Sequence, residues 1–124
     1  MVLRFVPRVL ACLFVVLLAG CGDTSAPPSW ARGMATVREA ELPAEARETL
    51  RLIDQGGPFP YAGDGAVFGN FERLLPTHER GYYREYTVRT PGSRDRGARR
   101  IVTGRGGEIY YTDDHYDSFR AVLR

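Results

Sequence analysis

The spacing of the apolar residues changes once along this chain of 124 residues, at Gly56-Gly57. Before that point, Ala46, Leu50 and Ile53 recur at helical spacing, which predicts one amphipathic helix of about three turns. After it, a loop leads into short segments with two-residue alternation, which predict strands at 66–75, 82–89, 99–103, 108–112 and 118–123. This order of elements indicates an α+β fold, with one N-terminal helix packed on a small twisted antiparallel sheet.

The composition excludes several classes of protein. Because the only two cysteines are Cys12 and Cys21, we expect neither a disulfide framework nor a cysteine-based zinc site in the folded part. All 17 basic residues are arginine, which excludes a Walker-type phosphate loop and Schiff-base chemistry, since both need lysine. The sequence contains only two histidines, so it does not indicate a histidine-rich metal centre either. We therefore expect no metal and no cofactor.

The N-terminus is typical of an export signal. Arg4 and Arg8 precede an apolar run over 9–18, which is shorter than the roughly 20 residues that a membrane-spanning helix needs. This pattern predicts a signal peptide over 1–20. The segment ends in Leu-Ala-Gly followed by Cys21 and resembles the lipobox of bacterial lipoproteins, so we expect lipidation of Cys21 and a secreted, membrane-anchored protein. An ordinary signal peptide with a chance cysteine is the alternative.

The segment after Cys21 differs in composition from the rest of the chain. Residues 21–36 are rich in Pro, Gly and Ser and have no apolar period, which predicts a flexible tether. Trp30 disturbs this prediction, because its ring could pack on the domain or lie near the membrane surface. The remaining residues, 37–124, are few enough to form one domain.

Positive charge collects in one stretch of the domain. Between Arg84 and Arg105 there are seven arginines against two acidic residues. Guanidinium groups bind phosphate oxygens in a bidentate manner, so this stretch favours a phosphate-bearing partner. A strand-loop-strand segment that uses arginine only for solubility and surface ion pairs is the alternative.

Two side chains near this stretch are candidates for acid–base chemistry. The alternation in 82–89 places Tyr83, Glu85 and Thr87 on one face of a strand, where partial burial would raise the pKa of Glu85. His115 lies among aspartates that favour its protonated form. The alternatives are a surface ion pair for Glu85 and a structural hydrogen bond for His115.

Short motifs follow one another from residue 41 to the C-terminus. They include Gly57-Pro58-Phe59-Pro60-Tyr61, Phe68-x-Asn70-x-Glu72, Gly81-Tyr82-Tyr83-x-Glu85-Tyr86-Thr87-Val88, Arg96-Gly97-x-Arg99-Arg100-Ile101 and Tyr110-Tyr111-Thr112-x-Asp114-His115-Tyr116. In this order and spacing they resemble the guanyl-specific microbial ribonucleases, the family of ribonuclease Sa and barnase. The resemblance implies the microbial ribonuclease fold and metal-independent cleavage of single-stranded RNA on the 3′ side of guanosine.

The resemblance also implies a role for each catalytic candidate. Glu85 would remove the proton from the 2′-hydroxyl, and His115 would protonate the leaving 5′ oxygen, giving a 2′,3′-cyclic phosphate that is then hydrolysed. Arg96, Arg100 and Tyr116 match the residues that bind the phosphate. These residue types suit in-line displacement, because a base and an acid must flank the phosphorus while fixed donors stabilise its oxygens.

Guanine recognition is implied for the stretch around Glu72. Its carboxylate would accept hydrogen bonds from guanine N1–H and the exocyclic amine, while backbone N–H groups near Asn70 and Phe71 would meet O6 and Phe68 would stack. The chain departs from the family pattern in that Phe71 replaces an arginine and Gly69 replaces a larger polar residue. The alternative is that this stretch is a hairpin edge without a ligand and that Glu72 is an ordinary solvated acid.

Two other functions remain open at this point. A non-catalytic RNA-binding lipoprotein would share the resemblance, although binding alone needs neither Glu85 nor His115. A toxin domain would have the same chemistry and would be paired with a barstar-like protein inhibitor. In each case we expect a monomer.

Overall fold

The predicted helix ends at the glycine pair that marks the change of period. The computed structural model describes residues 26–124, and helix α1 spans Ala44–Gln55. Ala46 and Leu50 are fully buried. Gly56 ends the helix with φ 83°, a left-handed conformation that favours glycine. The prediction of an amphipathic helix at this position is confirmed.

Six strands of the described residues form a single sheet. They are β1 (Thr36–Arg38), β2 (Ala66–Val67), β3 (Tyr83–Thr87), β4 (Arg100–Gly104), β5 (Ile109–Thr112) and β6 (Arg120–Leu123). Their order across the sheet is β1-β6-β5-β4-β3-β2. All neighbours are antiparallel except β1, which pairs with β6 in parallel. The α+β class is confirmed, but the sheet is mixed and not purely antiparallel, because β1 adds a parallel strand beside β6.

The segment predicted as a strand over 66–75 is extended only at its start. β2 pairs with β3 at Ala66 and Val67 and then leaves the sheet. Asn70 and Arg73 have positive φ angles of 54° and 58°, which a strand does not accommodate. The rest of the segment is therefore a loop.

The sheet carries an apolar core on each face. On one face, α1 covers a cluster made of Leu42, Ala46, Leu50, Val88, Ile101, Ile109, Tyr111 and Val122. On the other face, the buried residues are Ala31, Leu75, Tyr83, Val102, Tyr110 and Ala121, with Trp30, Met34, Phe68, Tyr82 and Phe119 packed around them. No α-helix of residues 26–124 covers the second face, which is covered by loops and by the segment that precedes β1.

The segment that precedes β1 packs on this second face. The Trp30 ring contacts the Tyr110 ring edge-on with centroids 5.6 Å apart, and the Tyr110 hydroxyl donates to the Trp30 carbonyl oxygen at 3.2 Å. Ala31 is buried, and Thr36 pairs with Ala121 in the sheet. In the described part of the segment predicted as a flexible tether over 21–36, residues from Trp30 onward therefore pack on the domain, because the face of the sheet opposite α1 requires an apolar partner. Residues 21–25 lie outside the described residues.

The predicted signal peptide over 1–20 and the predicted lipidation site Cys21 lie outside the described residues. Within residues 26–124, no helix has both the length and the apolarity that crossing a membrane requires.

Candidate active site

A row of polar side chains crosses the centre of the sheet on the face opposite α1. The register places Thr87 of β3 opposite Arg100 of β4, and Arg100 opposite Thr112 of β5. Paired residues of antiparallel strands point to the same face, and Glu85 joins them because it is two residues from Thr87. The face predicted for Glu85 is therefore the one that carries this row.

Glu85 belongs to a cluster of four predicted site residues. The Tyr116 hydroxyl donates a hydrogen bond to Glu85 Oε1, and Arg96 Nη2 lies 3.9 Å from the same oxygen. Arg100 Nε donates to the Tyr116 hydroxyl oxygen at 3.0 Å. Because the Glu85 side chain is only 20% exposed, its carboxylate is not one half of an ordinary surface ion pair.

Uncharged groups hold both guanidinium groups in place. Arg96 donates from Nε and Nη2 to the Thr87 hydroxyl at 3.0 and 2.8 Å. Arg100 is 3% exposed, and its Nη1 donates to the carbonyl oxygens of Gly97 and Arg99 at 2.9 and 2.8 Å. No carboxylate within residues 26–124 forms an ion pair with Arg100. Burial of a cation without an anionic partner costs free energy, so the position of Arg100 favours the binding of an anion.

Hydrogen bonds of Asp114 fix the loop that follows β5. The hydroxyls of Thr112 and Ser118 donate to the Asp114 carboxylate at 2.7 and 2.5 Å. These bonds lower the pKa of Asp114, with Ser118 having the larger effect. The Tyr116 N–H donates to the Thr112 hydroxyl at 3.2 Å. An ionised Asp114 thereby sets the position of the Tyr116 backbone.

The Tyr116 hydroxyl stays protonated throughout the neutral pH range. Burial raises the pKa of Tyr116 to about 12, and the hydrogen bond to Glu85 acts in the same direction. A protonated hydroxyl donates to the carboxylate while it accepts from Arg100. Tyr116 therefore links the acidic and basic members of the cluster.

His115 lies at the exposed rim of the cluster. Its backbone has a φ of 56°, and its N–H donates to the Ala98 carbonyl oxygen at 2.9 Å. The imidazole contacts the Tyr116 ring edge-on, with centroids 4.9 Å apart, and borders a shallow depression together with Arg96. Tyr116 thus contacts both Glu85 and His115.

A cavity of about 430 Å³ opens beside the cluster. It is lined by Val67, Phe68, Gly69, Asn70, Phe71, Glu72, Leu74, Arg80, Glu85, Tyr116 and Phe119. The lining includes all four residues that were predicted to bind the base. It also includes Glu85 and Tyr116, which are members of the cluster. The structure therefore brings the two predicted halves of the site together.

Asn70 holds the loop that forms one wall of the cavity. Its side-chain Nδ2 donates to the Leu75 carbonyl oxygen at 3.0 Å, and the Leu75 N–H donates to Asn70 Oδ1 at 3.1 Å. Glu72 and Phe71, which lie inside this turn, are exposed. Phe68 differs from them, because its ring is stacked on the Tyr116 ring with centroids 5.3 Å apart. Phe68 therefore supports Tyr116 as well as lining the cavity.

Three residues of the site have no role in the sequence analysis. Thr87 orients Arg96, Thr112 anchors the loop that carries Tyr116, and Arg80 lines the cavity. Two-residue alternation already places Thr87 on the face of Glu85, so its role could have been inferred. Nothing in the spacing indicates Arg80, because its place at the cavity depends on the path of the loop.

The arrangement can bind an anion and move protons beside it. Glu85 can accept a proton, His115 can donate one, and two guanidinium groups supply positive charge. In the part of the chain that the structure describes, no group of three or more His, Cys, Asp and Glu side chains could hold a metal ion. These side chains fit acid–base chemistry at a bound anionic group.

Comparison with known proteins shows the family to which this chain belongs. A family model described as ribonuclease matches residues 25–123. Guanyl-specific ribonuclease St of Saccharopolyspora erythraea is 55% identical over 105 residues, covering 85% of this chain and 97% of the relative. Guanyl-specific ribonuclease Sa of Kitasatospora aureofaciens is 57% identical over 88 residues, covering 70% and 92%. A crystal structure of ribonuclease Sa2 with guanosine-2′-cyclophosphate superposes with a TM-score of 0.71 at 49% identity, covering 73% of this chain and 97% of that one. This chain belongs to the family of microbial guanyl-specific ribonucleases.

Proposed function

We propose that this protein is an endoribonuclease that cleaves single-stranded RNA on the 3′ side of guanosine without a metal ion. The observation that carries the proposal is the buried Arg100 guanidinium, which has no ion-pair partner among the described residues and shares Tyr116 with Glu85. An RNA phosphate would supply the missing anion beside a group able to accept a proton. The names of the relatives, which are guanyl-specific ribonucleases, support the same conclusion.

In the first step, the 2′ oxygen of guanosine attacks the adjacent phosphorus. Glu85 takes the 2′-hydroxyl proton as the O2′–P bond forms, and protonated His115 gives its proton to the 5′ oxygen as the P–O5′ bond breaks. Arg96 and Arg100 donate to the phosphate oxygens on which charge accumulates. Their bonds to Thr87 and to backbone carbonyls hold them in advance, so little reorganisation opposes the step.

In the second step, the two catalytic groups exchange roles. Neutral His115 takes a proton from water as the water oxygen bonds to phosphorus, and protonated Glu85 returns its proton to O2′ as the P–O2′ bond breaks. The product is a 3′-phosphate, and both side chains regain their starting protonation. Tyr116, whose hydroxyl bonds to Glu85, helps to keep that carboxylate in position.

Guanine binds in the cavity beside this cluster. Ionised Glu72 accepts hydrogen bonds from guanine N1–H and the exocyclic amine, an arrangement that adenine cannot match. Backbone N–H groups near Asn70 and Phe71 donate to O6. Stacking on the base, which the sequence assigned to Phe68, is assigned instead to the exposed Phe71 ring, because the Phe68 ring is already stacked on Tyr116. Support comes from the cavity itself, since Glu72 and Glu85 line the same space.

Cleavage of four dinucleotides, GpU, ApU, CpU and UpU, tests this proposal directly. In the presence of EDTA, the purified protein should cleave GpU fastest and should release guanosine 2′,3′-cyclic phosphate before the 3′-phosphate. Equal rates on all four substrates, or a loss of activity in EDTA, would contradict guanosine specificity or metal independence respectively. Binding of RNA without any cleavage would favour the non-catalytic alternative.

We also propose that the protein is exported and anchored to a membrane through lipid on Cys21. The support is the sequence pattern of residues 1–21. Replacement of Cys21 by serine should move the protein from the membrane fraction to the soluble fraction. Unchanged fractionation of the variant would contradict the lipid anchor while leaving the enzymatic proposal intact.

A further inference from the structure

Two exposed residues at the mouth of the cavity have no part in the fold's core. The Phe71 side chain is 83% exposed, and Arg80 is also exposed. Among the described residues that line the cavity, Arg80 is the only cation, while Glu72 and Glu85 are the carboxylates. Packing in the core explains neither Phe71 nor Arg80.

The Phe71 ring lies directly against the backbone of Gly69. A side chain at position 69 would begin 2.5 Å from Phe71 Cε2 and 2.6 Å from Phe71 Cζ, which is closer than real Cβ atoms approach other carbons. The ring therefore occupies the space that a side chain of residue 69 would fill. A side chain at position 69 would therefore displace the Phe71 ring from this position.

Arg80 contacts the same ring. Its Cζ lies 5.8 Å from the Phe71 ring centroid, within the range of a cation–π contact. Within residues 26–124, Arg80 forms no ion pair, and the neighbouring Glu79 pairs with Arg105 at 3.3 Å. No carboxylate of the described residues therefore competes with the ring for this guanidinium.

We infer that Arg80 is a positioning residue for the base site, which holds the Phe71 ring against Gly69 and so orders the surface on which guanine stacks. The inference rests on the proposed function, because guanine is the occupant that the function assigns to the cavity. A ring as exposed as Phe71 would otherwise move among rotamers and lose that freedom when a base binds. Ordering the ring before binding should lower KM and leave kcat unchanged.

Substitution of Arg80 in the purified protein provides the test. Arg80→Met keeps the length of the side chain and removes the charge, and it should raise both KM for GpU and the dissociation constant of 3′-guanosine monophosphate about two- to fivefold. Arg80→Lys keeps a cation and should restore most of the loss. Arg84→Met is the matched control, because it removes an exposed arginine of β3 that does not line the cavity, and it should change neither constant.

The role of Phe71 is tested by a double-mutant cycle. If Arg80 acts through the ring, Arg80→Met should have no further effect in a Phe71→Leu background. In the ligand-free protein, the nuclear Overhauser contact between the Phe71 ring and the Gly69 α protons should weaken in Arg80→Met. An equal effect of Arg80→Met in both backgrounds, or an effect matched by Arg84→Met, would overturn the inference.

These outcomes separate the inference from the proposed function. If the unmodified protein cleaves after guanosine but Arg80→Met leaves KM and the dissociation constant unchanged, only the positioning role of Arg80 is overturned. If the unmodified protein neither cleaves GpU nor binds 3′-guanosine monophosphate, both the proposed function and the inference are overturned.

Discussion

The two halves of the candidate site are built in different ways. In the phosphate half, Glu85 and Arg100 come from the sheet, and each forms a hydrogen bond with the Tyr116 hydroxyl. In the base half, Glu72 and Phe71 come from a loop and are exposed, and Asn70 supplies the hydrogen bonds across that loop. Groups that act on a transition state must be fixed before the reaction, whereas groups that only hold the base contribute equally to the binding of substrate and transition state. Changes in the phosphate half should therefore alter kcat, and changes in the base half should alter KM and specificity.

The largest effect is expected for Glu85→Gln. The amide keeps the size of the side chain but cannot take the 2′-hydroxyl proton, so kcat for GpU should fall by about 10²- to 10⁴-fold. Binding of 3′-guanosine monophosphate, measured by calorimetry, should remain close to that of the unmodified protein. An equal loss of binding and cleavage, together with a lower unfolding midpoint, would show misfolding, and full activity would exclude Glu85 as the base.

A smaller effect is expected for Glu72→Gln, which changes the base half of the site. This variant loses the charged acceptor for guanine N1–H and the exocyclic amine, so kcat/KM for GpU should fall by about 10- to 100-fold. The rate on ApU should change little, because adenine does not offer that pair of donors. The ratio of the two rates measures specificity directly. A parallel fall on both substrates would contradict the assignment of Glu72 to guanine.

Tyr116→Phe tests the link between the acidic and basic groups of the phosphate half. Without the hydroxyl, Glu85 loses a donor and Arg100 loses an acceptor. One charge-assisted hydrogen bond corresponds to a decrease in kcat of about tenfold or more, with KM nearly unchanged. Initial rates of GpU cleavage at saturating substrate measure the decrease in kcat. If KM rose instead while kcat stayed constant, Tyr116 would belong to binding, and the contrast between the halves would weaken.

The elements that follow local rules were predictable from the sequence. The spacing of Ala46 and Leu50 and the glycine after α1 correctly predicted the helix, and alternation in β3 correctly assigned the face of Glu85. The segment around Trp30 was not predictable, because its apolar residues have no period and are needed only once the sheet has an uncovered face. The early end of β2 depends on the left-handed conformation of Asn70, which its side-chain bonds to Leu75 stabilise.

The candidate site was less accessible to local reasoning than the fold. Residue patterns alone left Glu85 and His115 with ordinary structural alternatives, and it was the resemblance to a family that grouped them. Their catalytic roles remain predictions. Arg80 could not be found in either way, because its contact with Phe71 depends on how the loop between β2 and β3 folds back.

A loss of stability is expected at alkaline pH, and it involves one buried tyrosine beside each half of the site. Burial raises the pKa of Tyr83 and of Tyr116 to about 12, whereas an unfolded chain titrates tyrosine near pH 10. The unfolded state therefore loses these protons first, and the stability that the two hydroxyls provide below about pH 10 is lost as the pH rises towards 12.

Urea unfolding between pH 8 and pH 12 measures this loss. Tyr116→Phe should have a shallower decline in its midpoint than the unmodified protein, because one titrating hydroxyl is gone. The Tyr83 hydroxyl donates to the Pro76 carbonyl oxygen at 2.6 Å, at the end of the base-half loop. In Tyr116→Phe, the amide signals of residues 112–118 should therefore change later with rising pH than in the unmodified protein, whereas those of residues 69–75 should change as before. An equal delay in both loops would mean that the two halves unfold as one unit, and the contrast in how they are built would then not extend to their stability.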